Sequence, residues 1–397
     1  MKKIILLLGL FAFIILSSCT DFVNNIDKPV QVVDDKNLNA SDMTFLAKGI
    51  QFRFSETATE LLMCAEGLSD EFIFDTDVPN ATFPQYQEID NAQILTDNNS
   101  VRSIFNNLGE LRFYADDIVN KVGQYTTLSD AVKKNALFTG YFYGGIARYY
   151  YATYFGRNLT QGGATIDKSP FIPSAQMYAL ALEKFKAALD WAPNDATKRI
   201  VNTHIARTYL FMGDFPNAAQ YAVNGMSQGD ANFDALYSLE FANLFYIFAG
   251  RYRAQFVMDF RFKDYIDANP QEASRVIIEP VEGNSGKIFY MQAKMLIDND
   301  PVVVATWQEN TLMLAELALR GQATGDALAL VNQVRASHNI DPLGAVDLDV
   351  IYVERDKELN CMGLRLPDQR RYNRFHLPGR WEYFPLTIDE INTNPNL

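Results

Sequence analysis

Apolar residues recur every three or four positions along most of this chain, and that spacing predicts helices. The pattern predicts a first helix within residues 46–69, with Gly67 as its stop. A second is expected to run from Asn98 or Ser100, either of which suits a helix N-terminus, to about residue 122. A third is expected from about Ser129 to Tyr154, carrying Phe138, Tyr141, Phe142, Ile146, Tyr149 and Tyr150. Gly140, Gly144 and Gly145 within it would each cost an isolated helix roughly 1 kcal/mol, which is tolerable where a neighbouring helix comes close. Helical spacing returns at 306–320, 325–337 and about 347–362, punctuated by Gly321 and Gly325. Two stretches break the pattern. Residues 70–97 hold aromatics, Pro79, Pro84 and many acids, and predict an ordered loop. Residues 229–304 alternate short apolar runs such as VIIEPV and PVVVAT with turns rich in Asn, Gly and Asp, which predicts strands or irregular structure. The last 30 residues repeat nothing and are expected to pack across the surface.

Between residues 174 and 228 the helical pattern repeats. Ala181, Phe185, Ala188 and Pro193 fall at the spacing of the second helix of a tetratricopeptide repeat, and Ala206, Tyr209, Gly213 and Ala218 at that of the next repeat. Ala181 and Ala218 stand 37 residues apart, close to that repeat's period. Small residues let paired helices approach, aromatics fill the space between them, and Pro193 ends a helix.

The N-terminus carries a different signal. Lys2 and Lys3 precede an apolar run from Ile4 to Leu16, the size of a signal-peptide core and short for a membrane span. Leu16, Ser17 and Ser18 then lead into Cys19, which looks like a bacterial lipobox. Cleavage before Cys19 and acylation of its thiol would hold the body at a bilayer through buried methylenes. Residues 1–18 are therefore expected to be a signal peptide and 19–45 a lipidated N-terminus, tether and lead-in. Thr20 rather than an acid follows the cysteine, and the sequence does not choose between membranes. Cys64 lies in an apolar helical stretch and reads as a buried free thiol; with Cys361, one disulfide is arithmetically possible.

The formal charge of −13 would become −15 on loss of Lys2 and Lys3, which argues against a nucleic-acid binder. There is no Cys/His metal spacing, no GxSxG, no HExxH and no phosphate-binding loop. Asp298, Asn299 and Asp300 offer oxygen ligands, but their spacing matches no calcium loop and reads as an acidic turn. No metal or cofactor is implied. The 28 Phe and 20 Tyr supply flat apolar faces for sugar rings as well as core packing. Candidate ligand-contacting residues are Phe74, Phe83, Tyr86, Tyr237, Trp307 and Trp381, with Tyr246, Tyr252, Arg251 and Arg253 beside them; Trp191, just before Pro193, reads as core. A glycosidase dyad cannot be read from the 48 acids, because it needs a fixed separation across a cleft.

Four segments then carry a family resemblance. TLMLAELALRGQATGDALALVNQVRA places Glu316, Asn332, Val334 and Arg335, and ERDKELNCMGLRLPDQRRYN places Glu354, Arg355, Glu358, Leu359, Gly363, Arg365 and Asp368, as the RagB/SusD lipoproteins of Bacteroidota do. The end, YFPLTIDEINTNPNL, and the aromatic stretch GYFYGGIARYYYATYFG also resemble that family. The resemblance implies a mainly α, SusD-like helical fold, with tetratricopeptide-like hairpins within 100–228 and 306–338 and an irregular loop-rich subregion, all in one domain over 46–397. It implies a surface-exposed outer-membrane lipoprotein, not an enzyme, that captures an oligosaccharide or peptide for a partner TonB-dependent transporter. A structural or assembly lipoprotein binding only protein is the alternative. Departures are the short chain, Gly144 and Gly145 where bulkier residues are common, and Leu366 and Pro367 within the acidic-Leu-Arg run. The alternating charges Arg355, Glu358, Arg365 and Asp368 read first as an ion-pair network holding the tail to the helices, and second as a recognition surface.

Overall fold

Helix pairs stack along the chain, each burying one face against the next. The structure, a computed structural model, describes residues 39–397, so the leader and Cys19 lie outside the described residues. Residues 43–397 form one body. Its long helices are α1 (Met43–Leu68), α3 (Asn99–Val122), α4 (Asp130–Tyr154), α5 (Ser174–Trp191), α6 (Asp195–Met212), α10 (Trp307–Leu319), α11 (Ala327–Ser337) and α12 (Leu348–Glu358). Shorter helices are α2 (Pro84–Asp90), α7 (Phe215–Ala222), α8 (Leu244–Phe248), α9 (Arg261–Ala268), α13 (Arg365–Arg371) and α14 (Ile388–Thr393). Helix α4 packs against α3 and α5, α6 against α5 and α7, and α10 against α7, α11 and α12, while α1 crosses α3 and α4.

Local chemistry sets these boundaries. The side chains of Asn98 and Ser129 accept the N–H groups of Val101 and Val132, capping α3 and α4 as the sequence predicts. Gly213 ends α6 in the left-handed region at φ +76°. Gly67 does not stop α1. A Cβ there would stand 2.5 Å from the Phe256 ring, so the glycine admits that ring. Close approach does explain two glycines of α4: a Cβ at Gly140 would meet the Ala115 carbonyl of α3 at 2.7 Å, and one at Gly145 the Phe185 ring of α5 at 2.6 Å. Gly144 is under no such pressure, its nearest neighbour standing at 3.4 Å.

Between the hairpins the stack is filled by Phe142, Phe185, His204 and Phe233, with ring centroids 5.2–6.0 Å from that of Phe142. Burial, with Arg207 nearby, pushes the His204 imidazole down to about 3, so it packs as a neutral ring. Arg207 itself is buried and joins α6 to α10 through Glu309, its Nε donating to Oε1 at 2.6 Å.

Strands are short and lie in the irregular parts. A four-stranded antiparallel sheet has the order β1 (Phe72–Ile73), β6 (Val257–Met258), β8 (Ile288–Gln292), β7 (Ile278–Glu282). β5 (Phe233–Ala235) pairs with β9 (Val302–Ala305), β3 (Gly163–Ala164) with β4 (Ile172–Pro173), and β2 (Phe155–Gly156) in parallel with β10 (Phe384–Pro385). The apolar runs VIIEPV and PVVVAT thus supply β7 and β9. Residues 70–97, read as loop, also contain β1 and α2. Among the described residues no helix is long and apolar enough to cross a membrane.

Candidate functional site: an aromatic and arginine wall

Two irregular segments, 70–98 and 244–292, are welded into one wall. β1 pairs with β6, Asp77 accepts the backbone and hydroxyl of Ser285 at 2.7 and 2.6 Å, and the Asn284 N–H donates to the Asp77 carbonyl. The buried Gln255 completes the joint. Its Oε1 accepts the N–H groups of Thr82 and Phe83, both at 3.0 Å, and its Nε2 donates to Asn80 O at 2.5 Å. A buried amide with this many partners is fixed in orientation and fixes the loops in turn.

An aromatic ladder stands behind the wall. Tyr86 is buried, its ring 5.0 Å from Phe256, 5.6 Å from Phe248 and 6.1 Å from Phe83. On the outside, the Arg253 guanidinium lies 4.3 Å over the Phe83 ring, a cation–π contact. Tyr252 is 68% exposed, beside Tyr246 at 6.1 Å. Arg251 grips Glu279 through two bonds of 2.5 Å. Rings with free faces beside guanidinium donors can cover the C–H face of a sugar while binding its hydroxyls. Asp90 lies within this region: burial, opposed by the Phe74 N–H and reinforced by Asp75 and Asp259, pushes its carboxyl up to about 7.

The structure brings Phe74, Phe83 and Tyr86 together here and places Tyr246, Tyr252 and Arg253 beside them. The other sequence candidates lie elsewhere. Tyr237 is half-buried against α1, its hydroxyl donating to Ser55 O at 3.0 Å. Trp307 opens α10 and is buried among Met226, Ala305 and Val331. Trp381 is half-buried in the C-terminal tail, its backbone N–H donating to Ala92 O at 3.2 Å. Asp300 caps a turn, Oδ2 accepting the N–H groups of Leu296 and Ile297, and among the described residues no acid, His and Cys cluster could hold a metal. Sequence reasoning missed Gln255, whose role arises from loops 172 residues apart and leaves no local signal.

The charged C-terminal segments form a buried ion-pair network. Arg355 bonds Asp368 at 2.6 Å, Arg371 bonds Asp368 and Glu316, and Arg365 bonds Asp70 at 2.6 Å and approaches Asp356 at 3.3 Å. Arg275, invisible to the sequence patterns, collects Glu272, Glu354 and Glu358, while Arg335 bonds Glu354 at 2.9 Å. Asn332 clips residue 343 with two hydrogen bonds. Beside this network, Gly363 at φ +74° leaves no room for a Cβ, which would stand 2.5 Å from Leu62, and its N–H is held by Glu66. Cys361, at φ +66°, gives its N–H to Glu71 at 2.5 Å. Burial, with the two carboxyls so close to each other, raises Glu66 and Glu71 above the usual range. Cys64 and Cys361 are buried free thiols.

No family model and no curated protein matches the sequence. Solved structures do match. A SusD superfamily protein from Bacteroides thetaiotaomicron VPI-5482 is similar with a TM-score of 0.74 at 16% identity, over 90% of this chain and 99% of that one. A putative sugar-binding protein from Bacteroides vulgatus ATCC 8482 gives 0.72 at 15%, over 90% and 97%. Surface glycan-binding protein A from Bacteroides uniformis gives 0.67 at 15%, over 88% and 98%. At such identities the likeness establishes the fold: mainly α, with stacked tetratricopeptide-like hairpins, as in the SusD superfamily.

Proposed function

We propose that this chain is a surface substrate-capture lipoprotein, anchored through Cys19 in the outer membrane and facing the exterior. It holds an oligosaccharide, or in a second form a peptide, and passes it to a partner TonB-dependent transporter. The observation that carries the reading is the SusD-type stack with an exposed aromatic and arginine wall on its irregular side. Tyr246 and Tyr252 offer ring faces, and Arg251 and Arg253 offer planar donors. Likeness to proteins whose names describe sugar and glycan binding supports the oligosaccharide over the peptide.

Affinity electrophoresis and calorimetry against a panel of soluble glycans and short peptides test the capture role. A saturable glycan ligand whose binding is weakened in Tyr252→Ala and Arg253→Ala supports it; silence across the panel overturns it. Pull-down from solubilised outer membrane tests the delivery role. A transporter-sized barrel is the expected partner, and an assembly complex without ligand would favour a purely structural lipoprotein.

A further inference from the structure

A cavity lined by none of the wall's rings, nor by Arg251 or Arg253, opens beside β9 and the turn that holds Cys361. Its volume is about 330 Å³, the size for a small molecule rather than a chain of sugars. No phenyl, phenol or indole ring lines it, so it lacks the flat faces a pyranose needs. Its apolar side is Ile277, Met295, Val303 and Met362.

Its polar side is unevenly satisfied. Glu358 is already engaged, by Arg275 at 3.4 Å and His338 at 3.0 Å. Lys294 donates to Asn360 O at 3.0 Å; Glu358 and Glu71 feel its charge, but neither accepts a hydrogen bond from its ammonium. An ammonium has three donors, so this one keeps two in hand. Across the lining, the Gln308 Oε1 is buried and has no donor. An orphaned acceptor in a cavity wall costs free energy until something supplies its proton. The floor is held in shape independently: Cys361 sits in the left-handed region, a strained position for a residue with a Cβ, and the Glu71 carboxyl pins it there.

An ammonium with donors to spare, an unfilled acceptor and an apolar slot in one small cavity are complementary to a zwitterion. We infer that this cavity is a second ligand site, for a free α-amino acid with an aliphatic or thioether side chain. Its carboxylate binds the Lys294 ammonium, its ammonium donates to Gln308 Oε1, and its side chain lies on Met295, Val303 and Met362. The site does not depend on the glycan reading, because Phe83, Tyr246, Tyr252, Arg251 and Arg253 do not line it.

Calorimetry on the lipid-free chain from residue 20 onward tests this with L-leucine and L-methionine as probes. Leucine methyl ester, 4-methylpentanoate and glucose serve as comparators. Saturable binding of the two amino acids is expected, with the ester and the deaminated acid each weakened about tenfold or more. Lys294→Met is expected to weaken leucine by a similar factor, while Tyr252→Ala leaves it unchanged. Ile277→Trp, at a half-open position of the mouth, fills the cavity without removing a charge and should abolish binding in a chain whose circular dichroism and melting match the parent. No saturable binding of either amino acid overturns the inference, as does binding that Lys294→Met and Ile277→Trp both leave intact. A parent chain that binds glycan but neither amino acid would sink this site alone, and one that binds the amino acids but no glycan would sink the wall alone.

Discussion

The buried pair Arg207–Glu309 allows one perturbation to be worked through. It joins α6 of the hairpin stack to α10, and both side chains are essentially inaccessible, at 2% and 0% exposure. Arg207 donates twice to the carboxylate and once to Val304 O at 2.8 Å, and its guanidinium lies 5.9 Å from the Tyr149 ring. Arg207→Met removes both donors and leaves a carboxylate in a site closed to water, which costs about 3–5 kcal/mol. Glu309→Leu strands the guanidinium on Val304 O and costs about as much. The double variant has neither charge, and replacing a buried pair by apolar residues of similar volume is neutral or stabilising in many proteins. It is therefore expected within about 2 kcal/mol of the parent, giving a coupling of about 4 kcal/mol or more, well above that of an exposed pair. Urea unfolding followed by tryptophan fluorescence and circular dichroism reads all four chains, with an unchanged m-value showing that the native state keeps its extent. A single variant losing less than about 1 kcal/mol, or a double losing the sum of the two, would refute the reasoning.

Other expectations follow from the same geometry. Gly140→Ala should lose about 1–3 kcal/mol by pressing on the Ala115 carbonyl, whereas Gly144→Ala, with nothing nearer than 3.4 Å, should be neutral or gain up to about 1 kcal/mol; thermal melts separate them. Tyr252→Ala should weaken glycan retention roughly 2–10-fold while shifting stability by no more than about 0.5 kcal/mol. Asp90, raised to about 7, holds its proton more tightly folded than unfolded; its stabilisation is full below the usual carboxylate range and is lost as pH rises through about 7. Asp90→Asn should remove that step from a pH series of urea midpoints. Glu272 behaves in the opposite sense. Burial raises its carboxyl, but Arg275 and Lys357 outweigh that and hold it at about 2, so its stabilisation is full above about 4.5 and fades as pH falls through about 2. Glu272→Gln should flatten the acid limb of the same series.

The sequence alone determined the helical hairpins. Helix periodicity, Asn98 and Ser129 as caps and Gly213 as a stop are local, each acting within a few residues through hydrogen bonds of the helix end itself. Gly67 shows the limit of such reading: a glycine near a helix end looks like a stop, but here it makes room for Phe256, almost 190 residues away. The short strands of 72–73 and 257–258 are equally non-local, since neither two-residue segment has a pattern of its own until the other lies beside it.

The same division runs through the sites. Phe83 and Tyr252 were visible as aromatics in irregular segments, but only the joint made by Gln255 sets one beside Arg253 and turns the other outward. Charge in the C-terminal motif was legible, while the choice of partner was not, because Arg275, Arg261 and Asp70 come from other elements. Sequence determined which groups want a partner, since polarity, charge and helix ends belong to each residue. The tertiary structure decided which wants are met inside the molecule and which, as at Lys294 and Gln308, are left for something else to meet.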